Sequence, residues 1–206
     1  MTFSTHELLA MVIGASFAAG LNVYATVATL GLIARAGWME LPQSLNLLEN
    51  WWVIGAAAAL FLIEFVADKI PAFDLIWNAL QTFVRVPVAA LIGYAATAQL
   101  SPQAQLLSAL AAGGIAMAAH GGKFAVRTAV TPSPEPVSNT ALSLGEDVLA
   151  IGLTWFATAH PYLAAAIAVL LVVLTVLLVR MVVRAIKGLF HGARREWQQL
   201  QVRESV

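Results

Sequence analysis

Glu64 and Asp68 stand four residues apart, so a helix sets both carboxylates on one face. Lys69 follows directly, then Pro71 and Asp74. Farther along, His120, Lys123 and Arg127 recur at spacings of three and four and share a helical face of their own. Arg85 lies between the two groups, and Asn139, Glu146 and Asp147 come after them. The acids Glu64, Asp68, Asp74, Glu146 and Asp147 can pair with Lys69, Arg85, Lys123 and Arg127. One reading is a mutually satisfied salt-bridge network. Another is a polar cavity that takes an ion, a proton or a small solute. A metal or catalytic centre fits less well. His120 beside carboxylates could ligate a metal, but no paired-histidine spacing supports it. No nucleophile elbow, phosphate loop or zinc-hydrolase pattern occurs. The expectation is a protein that is not an enzyme and uses no cofactor.

What must position these charges is a set of apolar helices. Hydrophobic residues make up 60% of the 206 residues and charged residues 11%, against roughly 25% charged in a soluble domain. Crossing a bilayer takes about 20 apolar residues. Six stretches qualify: about Leu8 to Ala34, Trp52 to Ala67, Leu75 to Ala98, Gln105 to Val126, Ala141 to Ala159 and Tyr162 to Val183. The fold expected is an all-α polytopic membrane bundle of about six transmembrane helices. It forms one transmembrane domain over residues 1–190, with a basic cytoplasmic tail over 191–206. The first run would reach about 40 Å as a helix, beyond the roughly 30 Å hydrocarbon core. A single tilted helix is the plain expectation, with Gly14, Gly20 and Asn22 as points of irregularity. Met1 to Glu7 carries no Lys or Arg, so this run reads as a retained span rather than a cleaved signal.

Around the charged segments, Pro71 disfavours helix at Ile70 and turns the chain. Three prolines between Thr131 and Asn139 predict an extended, non-helical connection. The loop Trp38 to Asn50 predicts a short interfacial helix after Pro42, anchored by Trp38, Trp51 and Trp52.

Six of the eleven Lys and Arg residues fall between residues 180 and 203. Basic residues mark the cytoplasmic side, so both termini are expected there, with Lys69, Lys123 and Arg127 at cytoplasmic helix ends and Arg35 at an outer one. Arg180, Arg184, Lys187, His191 and Arg194 recur at helical spacing beside Val183, Ile186, Leu189 and Phe190. This pattern extends the last span into an interfacial helix. Arg184, Lys187, Arg194 and Arg195 are its lipid-binding candidates, each contributing about 1 kcal/mol near an anionic surface. A bare topology signal is the alternative. The partners expected are membrane lipids and a small polar solute or ion, with a homo-oligomer compatible. Net charge is zero, and no aromatic–basic interleaving suggests nucleic acid. The absence of cysteine excludes disulfides and thiolate chemistry.

A shift of 61 residues lays Pro71 on Pro132, Asp74 on Glu135, Asn78 on Asn139 and Arg85 on Glu146. This suggests an internal hairpin repeat about an axis along the membrane normal. A competing division sets spans one to three against four to six. The segments Glu64…Asp68-Lys69-Ile70-Pro71-x-x-Asp74 and Ser143-Leu144-Gly145-Glu146-Asp147 carry a resemblance. Over residues 8 to 190 the chain resembles a family of small bacterial integral membrane proteins catalogued as a domain of unknown function. The resemblance implies a bacterial inner-membrane protein and brings no activity or site residue with it. The function expected is transport or permeation of a small polar solute or ion through the charged site. The rival is a non-transporting scaffold or lipid-interacting protein.

Overall fold

The computed structural model describes residues 3–130 and 136–204, without side chains at 71–72, 74–75, 128–130, 136–139, 186 and 189–204. These residues form α1 (Thr5–Leu21), α2 (Val23–Arg35), a 3-10 helix (Gln43–Glu49), α3 (Trp51–Ala67), α4 (Pro71–Ala96), α5 (Pro102–Val130), α6 (Pro136–Ala159) and α7 (Pro161–Glu204). Ser4 opens α1 with a capping box. Its Oγ accepts from Glu7 N at 3.3 Å, and its own N–H donates to Glu7 Oε2 at 2.9 Å.

The first apolar run is two helices, not one tilted helix. Asn22 is extended, with φ −151° and ψ 101°. Its N–H donates to Ala18 O and closes α1, while its Oδ1 accepts from Ala25 N at 2.9 Å and caps α2. An asparagine can divert the backbone in this way because its short amide supplies the bonds that a continuous helix would otherwise make.

Proline opens α4, α5, α6 and α7, where its missing N–H costs nothing and its φ is already helical. Ile70 before Pro71 is extended, at φ −106° and ψ 102°. The extended connection expected up to Asn139 is shorter than that: α6 begins at Pro136, so residues 136–139 are helical. The rest of that connection, 131–135, lies outside the described residues. The sixth span and the basic segment after it form one continuous helix to Glu204. At the opposite end of the bundle, α2 stops in a Schellman turn. Gly37 takes φ +73°, donating to Ala34 O while Trp38 N donates to Ile33 O. Arg35 lies over the Trp51 ring at 4.4 Å and donates to Glu49 O at 3.1 Å. These contacts hold the bend of 60° between the 3-10 helix and α3.

Helix α1 is apolar all round and almost wholly buried, as expected for a central helix. It packs against α4, α5, α6 and α7, while α2 packs against α3 and α6. Gly20 sits where α1 meets α5 so closely that a Cβ would run into Ala116 O and lie 2.7 Å from Ala119 Cβ. Segments Ile76–Ala96, Pro102–Arg127 and Pro161–Ala185 have the length and apolar content to cross a bilayer, and the bent pair of the 3-10 helix and α3 would make a fourth. Outward positions carry Trp52, Phe83, Leu91, Leu107, Val148 and Leu163, all exposed, whereas Glu64, Arg85, Lys123 and Arg127 are buried. Apolar outside and polar inside is the distribution that lipid selects.

Candidate functional site

Each outer helix buries one stripe, and the stripe changes character along its length. On α4 the buried positions run Asn78, Gln81, Arg85, then Ala89, Ile92, Ala96. On α5 they run Ala112, Ala116, Ala119, then His120, Lys123, Arg127. On α3, Ile54 and Ala57 give way to Glu64, Ala67 and Asp68. On α6, Ser143 and Asp147 precede Ala150, Leu153, Thr154 and Ala157. The 3.6-residue period keeps each stripe on one face. The polar halves gather at the end of the bundle where α3 and α5 finish.

There the charges interlock. Glu64 Oε1 accepts from Arg85 Nη2 and, at 3.4 Å, from Lys123 Nζ. Asp68 Oδ2 accepts from Lys123 Nζ at 2.9 Å and Arg127 Nη2 at 3.0 Å. Glu146 Oε2 accepts from the same two groups, at 3.2 Å and 2.6 Å. Arg127 also donates to the Asp68 carbonyl at 3.1 Å, at the negative end of α3. Arg85 Nη1 donates to Gly20 O at 3.3 Å, in the last turn of α1. Four helices and the break after α1 are thereby tied together. In so dry a place each charge depends on its partners, because an unpaired one would carry a desolvation cost of several kcal/mol.

His120 lies within the network without a charge of its own. Arg85 Nη1 is 2.8 Å from His120 Nδ1, and Thr82 Oγ1 is 2.8 Å from Nε2. A guanidinium can only donate, so Nδ1 accepts and the proton sits on Nε2. Both ring nitrogens are engaged, and His120 orients Arg85. Among the described residues no group of three or more His, Asp or Glu side chains is arranged to hold a metal ion.

Asp147 stands beside the network and joins none of its described ion pairs. Its Oδ1 accepts from Asn22 Nδ2 at 2.9 Å, so the acid meets the chain where α1 and α2 part. Thr26 Oγ1 donates to Asn22 O at 3.0 Å, and Thr154 Oγ1 approaches Thr26 Oγ1 at 3.4 Å. Several buried oxygens have no hydrogen-bond partner among the described residues: Glu64 Oε2, Asp68 Oδ1, Asp147 Oδ2 and Ser143 Oγ.

A family model described as a domain of unknown function, DUF4126, matches residues 9–181, which contain every member of this network. The chain belongs to the DUF4126 family. No curated protein and no solved structure matches it.

Of the residues singled out in the DUF4126 chain by sequence, the structure brings together Glu64, Asp68, Arg85, His120, Lys123, Arg127 and Glu146, with Asp147 alongside. Lys69 is set apart. Its Nζ donates to Phe65 O at 2.7 Å and lies over the Phe65 ring. The side chains of Asp74 and Asn139 lie outside those described. On α7 Arg184 and Lys187 are exposed, while the side chains of Arg194 and Arg195 are again outside those described. Sequence reasoning left out Asn22, Thr26, Gln81, Thr82, Ser143 and Thr154 as site members. A signal was present: an amide within an apolar run is costly unless it has a partner, and Asn78, Gln81 and Arg85 keep helical spacing.

Two clefts of the described DUF4126 residues open elsewhere. One, of about 430 Å³, is an apolar groove between α2, α3 and α4 walled by Tyr24, Trp52, Leu60 and Val88. Tyr24 Oη accepts from Gln81 Nε2 at 3.1 Å, which links this groove to the polar stripe of α4. Another, of about 580 Å³, lies beside Glu40, Pro42, Ser44 and Gln99, next to the 3-10 helix.

Proposed function

We propose that this protein moves a small polar solute or ion across the bacterial inner membrane. In this reading α3 to α7 make five crossings, while α1 runs from the cleft that Phe3 and Leu8 share with Pro42 and Gln99 to the network and α2 returns to the same end, so that the pair forms a hairpin broken inside the bundle. The C-terminus lies in the cytoplasm, on the side of the basic residues, and the start of α1 lies at the other end, beside the 3-10 helix. The observation that carries the reading is the break at Asn22. A helix pair that breaks inside the bundle places helix-end carbonyls and amides there, and such ends form the substrate and ion sites of many transporters. Here the end of α1 meets Arg85 through Gly20 O, and the cap of α2 meets Asp147 through Asn22. The side chains expected to contact the transported species are Asp147, Glu64, Asp68, Arg85, Lys123, Arg127 and Glu146. They would act by binding and releasing charge, with no catalytic step. Arg184, Lys187, Arg194 and Arg195 would rest on anionic lipid headgroups.

The test is flux into vesicles of phosphatidylethanolamine and phosphatidylglycerol that contain the purified protein. Potassium, sodium, proton and small-polyol entry are followed with entrapped dyes or by swelling. Entry above that of protein-free vesicles, reduced by Asp147→Asn, supports the reading. Uniform impermeability in protein of native stability overturns it. The extent of the ion-pair network favours a second reading, a membrane scaffold locked by salt bridges. That reading predicts impermeable vesicles.

A further inference from the structure

We infer that Asp147 holds an exchangeable proton, so that the ion handled at the helix break is a proton; this deepens the transport reading above and rests on it. Asp147 is 5% exposed. One oxygen has a single neutral donor, Asn22, and the other has no hydrogen-bond partner. A buried ionised carboxylate without a cation is among the costliest groups a protein interior can hold, and it neutralises instead. The surroundings add to that pressure. Glu64 and Asp68 on α3 and Glu146 on α6 itself face Arg85 on α4 and Lys123 and Arg127 on α5. Among the described residues those charges balance three against three. An ionised Asp147 would leave this set with one negative charge in excess, and one bound proton removes it.

The remaining groups around α6 offer no further cation among the described residues. His120 on α5 is neutral in its present bonding, and Tyr24 on α2 is bonded to Gln81. Arg35 sits at the far end of α2, over Trp51. On α7, Arg180, Arg184 and Lys187 are exposed. A second buried group points the same way. Ser143, one helical turn before Asp147 on the same face, has an unpartnered hydroxyl and is 0% exposed. A metal cation would need several converging oxygens, and the described residues offer no such acidic or histidine group. A proton needs only one oxygen. It comes from water on one side, binds Oδ2 to give a neutral carboxylic acid, and returns to water on the other. On its release the bare carboxylate would compete for Lys123, the cation that Glu64, Asp68 and Glu146 share. That competition would draw Lys123 from Glu64 and Asp68 and loosen α3.

Infrared difference spectroscopy of the full-length protein in phosphatidylethanolamine–phosphatidylglycerol vesicles tests this directly. Spectra at neutral and alkaline pH, in H2O and D2O, are expected to contain a deuterium-sensitive carboxylic C=O band at neutral pH. Asp147→Asn should abolish the band and Asp147→Glu should shift it, while Glu7→Gln, at an exposed site, leaves it alone. A spectrum without the band, or a band unchanged in both Asp147 variants, overturns the assignment. Proton entry, followed with an entrapped pH dye under an imposed potassium diffusion potential, separates the two proposals. A band without any proton entry sustains the bound proton and removes transport. Entry of another ion without the band sustains transport and removes the proton.

Discussion

At the scale of single residues, two aspartates of similar burial are expected to behave in opposite ways. Asp68 accepts from Lys123 and Arg127 through one oxygen. Asp68→Asn strands both cations and is expected to cost about 3–5 kcal/mol, the usual effect of breaking a buried pair. Lys123→Gln in the same chain should restore part of the loss. Asp147→Asn has the shape of a neutral acid and keeps a carbonyl oxygen for Asn22 to donate to, so it should cost less than about 1 kcal/mol. Chemical unfolding in detergent micelles measures both, and equal losses would contradict the difference in their surroundings. The charged members of the site were legible in sequence because a charge in an apolar helix is conspicuous. Asn22 was visible only as an irregularity. Its meaning depends on Asp147, 125 residues away, and no local pattern encodes a pairing across that distance.

At the scale of elements, the helix break at Asn22 relies on one cap and one close contact. Asn22→Ala removes the cap of α2, worth about 1–2 kcal/mol, and takes the only described donor from Asp147, so a loss beyond that of the cap is expected. Gly20→Ala adds a methyl against Ala116 O and Ala119, and overpacking of this kind costs about 1–3 kcal/mol. Hydrogen exchange should then rise in α1 and α5 together. A change confined to α1 would mean that the contact is not shared. The outer helices were legible, their ends marked by the prolines at 71, 102 and 161. The break in the first run was not, because nothing in composition separates a tilted helix from a divided one. The start of α6 was misjudged for a related reason: Pro136 opens a helix as readily as it ends one. Helix α7, of 44 residues, would extend to about 66 Å, more than twice the hydrocarbon thickness.

At the scale of the whole molecule, the distribution of Lys and Arg predicts the C-terminus in the cytoplasm, whereas the start of α1 lies beside the loop 38–50, at the other end of the bundle. Reporter fusions at the C-terminus and within residues 38–50 should report opposite sides, and a cytoplasmic signal from the loop would refute this topology. Neutralising Arg184, Lys187, Arg194 and Arg195 should reduce the phosphatidylglycerol retained on purification, at about 1 kcal/mol for each cation near the surface. Native mass spectrometry counts the lipids, and unchanged retention would assign the tail to topology alone. The buried network also has an order in time. Synthesis delivers α1 first, yet its four main neighbours, α4 to α7, follow later. Glu64 and Asp68 emerge before any partner; Arg85 neutralises one, Lys123 and Arg127 overshoot, and Glu146 restores the balance. Each arriving helix therefore cancels charge that its predecessors left unbalanced in the growing chain. Asn22 waits longest, until α6 leaves the ribosome. A nascent chain halted before residue 147 should keep its first apolar run unbroken, and the break would then follow the arrival of α6.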